Sequence, residues 1–192
     1  MKHSYALTFP TYLTLFRLLC APLVVPFFIV HYHQDSSFFT HVGLALLFLF
    51  FAFTDYLDGF FARKYAQESK LGAILDHVAD KFLIFSACIG LVAIDCLGYF
   101  WAIVLIGREF FMMGLREIAL EQGFHIPVLQ FGKIKTALHM IMITWLLFDP
   151  SLFVHNNVCD VFTIILLLAS VVVSWGSALQ YWILFYRQFK RR

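Results

Sequence analysis

Four aspartates, Asp55, Asp58, Asp76 and Asp80, stand within mostly apolar sequence in two pairs, spaced three and four residues apart. On α-helices, each spacing puts both carboxylates of a pair on one face. An ionised carboxylate in a membrane helix costs roughly 2.5–3.5 kcal/mol on insertion scales. Such groups line a polar cavity, meet a partner or bind an ion. Four neighbouring carboxylates repel one another, and hard divalent cations with oxygen ligands, Mg2+ or Mn2+, remove that repulsion. Two ions sharing bridging carboxylates would make a site suited to phosphoryl chemistry.

Other residue types fit the same chemistry. Gly59 and Ala62 follow the first pair and Gly72 precedes the second, and small residues let a backbone or a bulky ligand come close. Ordinary helix packing explains Gly59 equally well. Arg63 suits a carboxylate or a substrate phosphate. Further along, Arg108, Arg116, Lys133 and Lys135 form a basic set, fit for an acceptor that carries its own phosphate. Topology alone would account for Lys133 and Arg116. Arg108 lies within an apolar stretch, where Glu109 or Glu117 could pair with it.

These side chains need elements that hold them in an apolar medium. Of the 192 residues, 61% are hydrophobic and 14% charged, and 24 are Phe, a balance far from that of soluble domains. The uncharged run Val161 to Tyr186 is long enough to cross a bilayer. Hydrophobic segments are expected at Thr11–Val30, Phe38–Lys64, Leu71–Ile94, Tyr99–Glu121, Lys133–Phe148 and Asp160–Tyr186. Polar or turn-forming breaks separate them at His31–Ser37, Asp95–Gly98 and Asp149–Asn157. Residues Met1–Phe9 could form a short interfacial helix. The expected fold is all-α, with six transmembrane helices in one domain spanning residues 1–192.

The positions of the charges set the orientation. With the N-terminus inside, the outer loops His31–Ser37, Asp95–Gly98 and Asp149–Cys159 contain no Lys or Arg. All 14 basic residues fall on the inner side, as the positive-inside rule requires. Both termini are then cytoplasmic. The aspartates and the basic set share that inner side. Arg187, Lys190, Arg191 and Arg192 serve as a topology anchor, and Lys81 is expected to snorkel towards the interface. His31, His33, His41 and His155 lie near the outer side, away from the carboxylates. The four cysteines form no CxxC pair, so neither a zinc site nor a redox motif is supported.

The pattern Asp55-x-x-Asp58-Gly59-x-x-Ala62-Arg63, then Gly72, Asp76 and Asp80, resembles the signature of the CDP-alcohol phosphotransferase family at its spacing. The rest of the chain, from about Thr8 to Thr136, is similar to the branch that joins CDP-diacylglycerol to glycerol 3-phosphate. Pro10-Thr11-Tyr12-Leu13-Thr14 with Arg17 resembles that branch's PNxLTxxR stretch, with Thr11 in place of Asn. Gly107-Arg108-Glu109, Leu115-Arg116-Glu117 and Gly132-Lys133-Ile134-Lys135-Thr136 resemble its later elements. His77 stands where the branch commonly has Pro.

The resemblance implies a membrane enzyme with two Mg2+ or Mn2+ ions on Asp55, Asp58, Asp76 and Asp80. Gly59, Ala62, Arg63 and Gly72 would accommodate the CDP-lipid, and Arg108, Arg116, Lys133 and Lys135 the acceptor phosphate. Asp80 would act as general base. The expected setting is a bacterial inner membrane with the site facing the cytoplasm. No nucleic-acid partner is expected, and the sequence admits a homodimer. The rival readings are a sibling using serine, inositol phosphate or phosphatidylglycerol as acceptor, and a divalent-cation transporter. A transporter would place its site near the midplane on broken helices, whereas these aspartates sit near one surface.

Overall fold

The computed structural model describes residues 9–32, 37–64, 70–123, 130–148 and 157–190. Among them are six α-helices and no strand: α1 Phe9–Tyr32, α2 Phe38–Lys64, α3 Lys70–Ala93, α4 Tyr99–Glu121, α5 Gln130–Phe148 and α6 Asn157–Lys190. The all-α expectation holds, and α2 and α4 have the expected bounds. α6 runs on past Tyr186 through Arg187 and Lys190. Basic side chains in a last turn face the partial negative charge of the terminal carbonyls. Of the segment expected to lie on the membrane surface, Met1–Thr8 falls outside the described residues and Phe9 opens α1.

Two of these helices contain stretches long and apolar enough to cross a bilayer. They are Thr14–Tyr32 in α1 and Val161–Lys190 in α6, with mean hydropathy 1.9 and 2.2. Large apolar side chains also face outward on every helix, for example Leu23, Phe39, Ile89, Ile103, Ile141 and Val172. A protein surrounded by water rarely exposes so much apolar surface. The architecture is that of a membrane protein.

The helices pack as two units. The first contains α1, α2, α3 and the end of α5 from Ile143. Buried residues Thr14, Arg17, Ala21, Val25 and Ile29 recur every three or four positions along α1, so they form one stripe, and α1 packs against both α3 and α2. A Cβ built on Gly90 would lie 3.0 Å from Ile29 Cδ1 and 3.2 Å from Pro26 Cα. The glycine therefore lets α1 and α3 approach closely. It also joins the C-terminal part of α1 to the C-terminal part of α3, so the two helices run in the same direction.

At the far end of α2, His41 is fully buried and its Nδ1 lies 3.3 Å from the Leu147 carbonyl oxygen. Leu147 is in the last turn of α5, where carbonyls have no partner within the helix. His41 thus caps α5, with Phe38 packed edge-on against Phe148 beside it, ring centroids 5.8 Å apart. The sequence had left this histidine without a role.

The second unit contains α4, α5 through Met142, and α6. Ala102, Leu105, Arg108, Glu109, Met112, Leu115 and Ala119 form the buried stripe of α4. Met112, Leu115 and Ala119 pack with Ala178, Tyr181 and Phe185 of α6. Trp175 Nε1 donates to the Val104 carbonyl at 3.2 Å, a further tie between α4 and α6. Two ends are closed by left-handed residues. Asp95 has φ 59° just after α3, and Gly123 has φ 73° just after α4, where its N–H reaches the Leu120 carbonyl at 2.9 Å.

Candidate active site

The aspartates lie on two helices that touch. Asp58 is six residues before the end of α2 at Lys64, and Asp76 six residues after the start of α3 at Lys70. At the helical rise, each sits about 9 Å from its helix end. Asp55 and Asp80 are nine and ten residues from the same two ends, or about 14–15 Å. The five residues between α2 and α3 can span only about 20 Å, and the helices are in contact. The four positions therefore pair by height: Asp58 with Asp76, and Asp55 with Asp80.

Asp80 is half-buried, flanked by buried Ala79 and Lys81. Lys81 is thus packed inside the unit, where snorkelling outward was expected. The side chains of Asp55, Asp58, Ala62, Arg63, Asp76 and Lys133 lie outside the described residues, as do the surroundings of Gly59 and Gly72. Among the described residues, no group of three or more His, Cys, Asp or Glu is placed to hold a metal. The donor chemistry of the two helices still fits one class of ion, because four carboxylates offer only hard oxygen ligands.

Arg17 carries more weight here than its place in a motif had indicated. It is 1% exposed on the stripe that α1 turns inward. It lies nine residues before Pro26, and Asp80 lies ten before Gly90, the residues at which α1 and α3 touch. The two sites are thus about 14 and 15 Å along parallel helices from a common contact, at nearly the same height. A buried guanidinium thus stands in the unit that carries the aspartates. An Arg inside the apolar run from Thr11 to Val30 was the signal for it.

The basic residues of the second unit form a connected cluster. Arg108 Nη1 donates to Glu109 Oε1 at 2.9 Å, and Lys135 Nζ donates to the same oxygen at 2.5 Å. Arg108 Nε donates to the Ser174 carbonyl at 3.0 Å and Nη2 to Ser177 Oγ at 2.6 Å. Ser177 Oγ donates in turn to the Ser174 carbonyl at 2.7 Å. α4, α5 and α6 all contribute, and all five residues are buried. Of the two carboxylates the sequence allowed for Arg108, the structure uses Glu109. With the three ionised groups counted, one positive charge remains.

Arg116 lies apart from this cluster, its guanidinium carbon 5.6 Å from the centre of the Tyr181 ring, in cation–π contact. Gly132, at the start of the GKxKT-like element, faces the same tyrosine: a Cβ there would meet Tyr181 Oη at 3.6 Å. Next to the cluster, His139 and Ser170 are 1% and 0% exposed. The His139 ring lies against the Ser170 backbone, and the Ser170 and Ser174 hydroxyl oxygens have no hydrogen-bond partner among the described residues. The second unit thus keeps a polar interior that its own bonds do not fully satisfy. Single residues such as His139 gave no sign of this, because the grouping depends on helices far apart in sequence.

A model of the CDP-alcohol phosphatidyltransferase family matches residues 7–180. The chain is 36% identical over 179 residues to the CDP-diacylglycerol–glycerol-3-phosphate 3-phosphatidyltransferase of Salmonella typhimurium, covering 90% of this chain and 91% of that one. It is 35% identical over 179 residues to the protein of the same name from Escherichia coli, with the same coverage.

Proposed function

This chain belongs to the CDP-alcohol phosphatidyltransferase family, and on that premise we propose that it transfers the phosphatidyl group of CDP-diacylglycerol to glycerol 3-phosphate. The products are phosphatidylglycerophosphate and CMP. The observation that carries this reading is the match to two transferases of that name along nine-tenths of the chain. The full aspartate signature falls within that match. The family match runs across both packed units, which supports one transferase domain over residues 1–192.

Asp55, Asp58, Asp76 and Asp80 would hold Mg2+ or Mn2+, two ions in all, which would supply neutralising charge for the transferring phosphate. Gly59, Ala62, Arg63 and Gly72 accommodate the CDP-lipid. Arg108, Arg116, Lys133 and Lys135 receive the phosphate of the acceptor. Asp80 takes the proton from the acceptor hydroxyl. The freed oxygen bonds to the lipid-bearing phosphorus, the phosphorus–oxygen bond to CMP breaks, and CMP leaves with the electron pair. Arg17, buried in the same unit as Asp80, contributes a fixed positive charge to it.

The outward apolar surface and the distribution of Lys and Arg support six spans with both termini in the cytoplasm. The bacterial relatives support an inner-membrane location with the site at the cytoplasmic surface. A homodimer is compatible with this arrangement. The test is CMP release by purified protein given CDP-diacylglycerol and Mg2+ with different alcohols. Glycerol 3-phosphate should be the productive acceptor. Release with serine, inositol phosphate or phosphatidylglycerol, and none with glycerol 3-phosphate, would overturn the assignment.

A further inference from the structure

Glu109 is an acidic residue in a region whose proposed task is to receive an anion. Left alone, a carboxylate there would repel the acceptor's phosphate. Its geometry assigns it a different part. A single oxygen, Oε1, accepts from both Arg108 Nη1 on its own helix and Lys135 Nζ on α5. The two cations are thereby held one bridging oxygen apart. Arg108 is fixed at two further points on α6, through Nε and Nη2. Three of its five N–H groups are committed in this way among the described residues, which fixes the plane of the guanidinium fork. Lys135 has no such planar fork; its ammonium sits on a flexible four-carbon stem and takes its direction from its partners.

We propose that Glu109 is a positioning residue for the acceptor site: it holds Lys135 beside a rigid Arg108 and leaves the pair a single net positive charge. This rests on the reading that Arg108 and Lys135 receive the acceptor's phosphate. Without the carboxylate, two buried cations repel in a medium of low dielectric, and the lysine, as the mobile partner, moves away. The acceptor then meets one cation where two were set. The CDP-lipid, whose proposed residues lie on α2 and α3, is unaffected.

The experiment measures KM for glycerol 3-phosphate, KM for CDP-diacylglycerol and kcat on the full chain, for Glu109→Gln, Glu109→Asp, Lys135→Gln, Arg108→Gln and the Glu109→Gln/Lys135→Gln pair. Glu109→Gln should raise the acceptor KM roughly tenfold or more, with the CDP-diacylglycerol KM within about twofold of the parent. Glu109→Asp, which keeps the charge, should recover most of the loss. In the double variant the effect of Glu109→Gln should vanish, because the group it positions is gone. That variant also lacks the unbalanced lysine, so it serves as the test if Glu109→Gln alone does not fold. An unchanged acceptor KM, equal rises in both KM values, or additive effects in the double variant would each overturn the proposal. If Lys135→Gln and Arg108→Gln both leave the acceptor KM unchanged, the acceptor-site reading beneath it fails instead.

Discussion

Arg108 Nη2 and Ser177 Oγ meet at 2.6 Å, 69 residues apart in sequence, and so join α4 to α6 deep in the second unit. Ser177 passes the interaction on to the Ser174 carbonyl, which also accepts from Arg108 Nε. Replacing Ser177 with Ala removes an acceptor from a buried cation. The expected loss is about 1–2 kcal/mol, between the values for charged hydrogen bonds and those measured inside membrane proteins. Thermal unfolding in detergent should show a lower midpoint, and Ser177→Thr, which keeps the hydroxyl, should lie closer to the parent.

The His41 cap on α5 predicts an effect far in sequence from the substitution. His41→Leu keeps the volume but leaves the Leu147 carbonyl without the ring N–H that now faces it. A loss of about 1–2 kcal/mol is expected, as for other lost caps and buried polar partners. Amide hydrogen exchange should quicken at the end of α5 before it does in α4. Unchanged exchange there would dismiss the cap.

Gly90 is the residue at which α1 and α3 approach most tightly among the described glycines. Gly90→Val would press a branched side chain against Pro26 Cα, which is backbone and has little room to move. Overpacking of this kind costs roughly 1–3 kcal/mol. Because the aspartates of α3 are carried on the same helix, turnover should fall along with the unfolding midpoint. Gly114→Ala, with open space around its Cβ, serves as the control and should leave stability near the parent or slightly raised.

Asp80→Asn keeps the shape of the side chain and removes its basicity. The protein should insert and fold as before, while kcat drops by about 10²–10⁴-fold, the usual range for a lost general base. CMP release measures it. Turnover within a few-fold of the parent would remove Asp80 from that role.

Chelation of divalent ions should abolish CMP release, and Mg2+ or Mn2+ should restore it, because four carboxylates favour hard cations. Ca2+ should restore less, since it takes more ligands at longer distances in a looser geometry. Full activity in chelator would dismiss a metal role for the aspartates.

Much of the fold was legible because helix breaks are local. Asp95–Gly98 carries the residues that allow a left-handed turn, and Asp95 adopts one. The end of α6 was less legible: Arg187 and Lys190 look like a tail, yet they lie in the helix's last turn, where their charge favours its C-terminus. Lys81 was misjudged for a related reason. A long cationic side chain can snorkel or be buried, and only the surrounding helices decide between them.

By itself the sequence determined which helices carry the aspartates, and it set each pair on one face through spacing alone. The short chain between α2 and α3 then brings the two pairs to matching heights. These are consequences of helical rise and chain connectivity, and they need no knowledge of packing. Tertiary structure decided what a linear pattern does not encode: that Glu109 is the partner of Arg108, that the same oxygen also takes Lys135, and that Arg17 is buried in the unit that carries the aspartates. Each depends on which faces of distant helices are pressed together. Burial then makes the choice of partner matter, since an unpaired charge is costly where water is excluded.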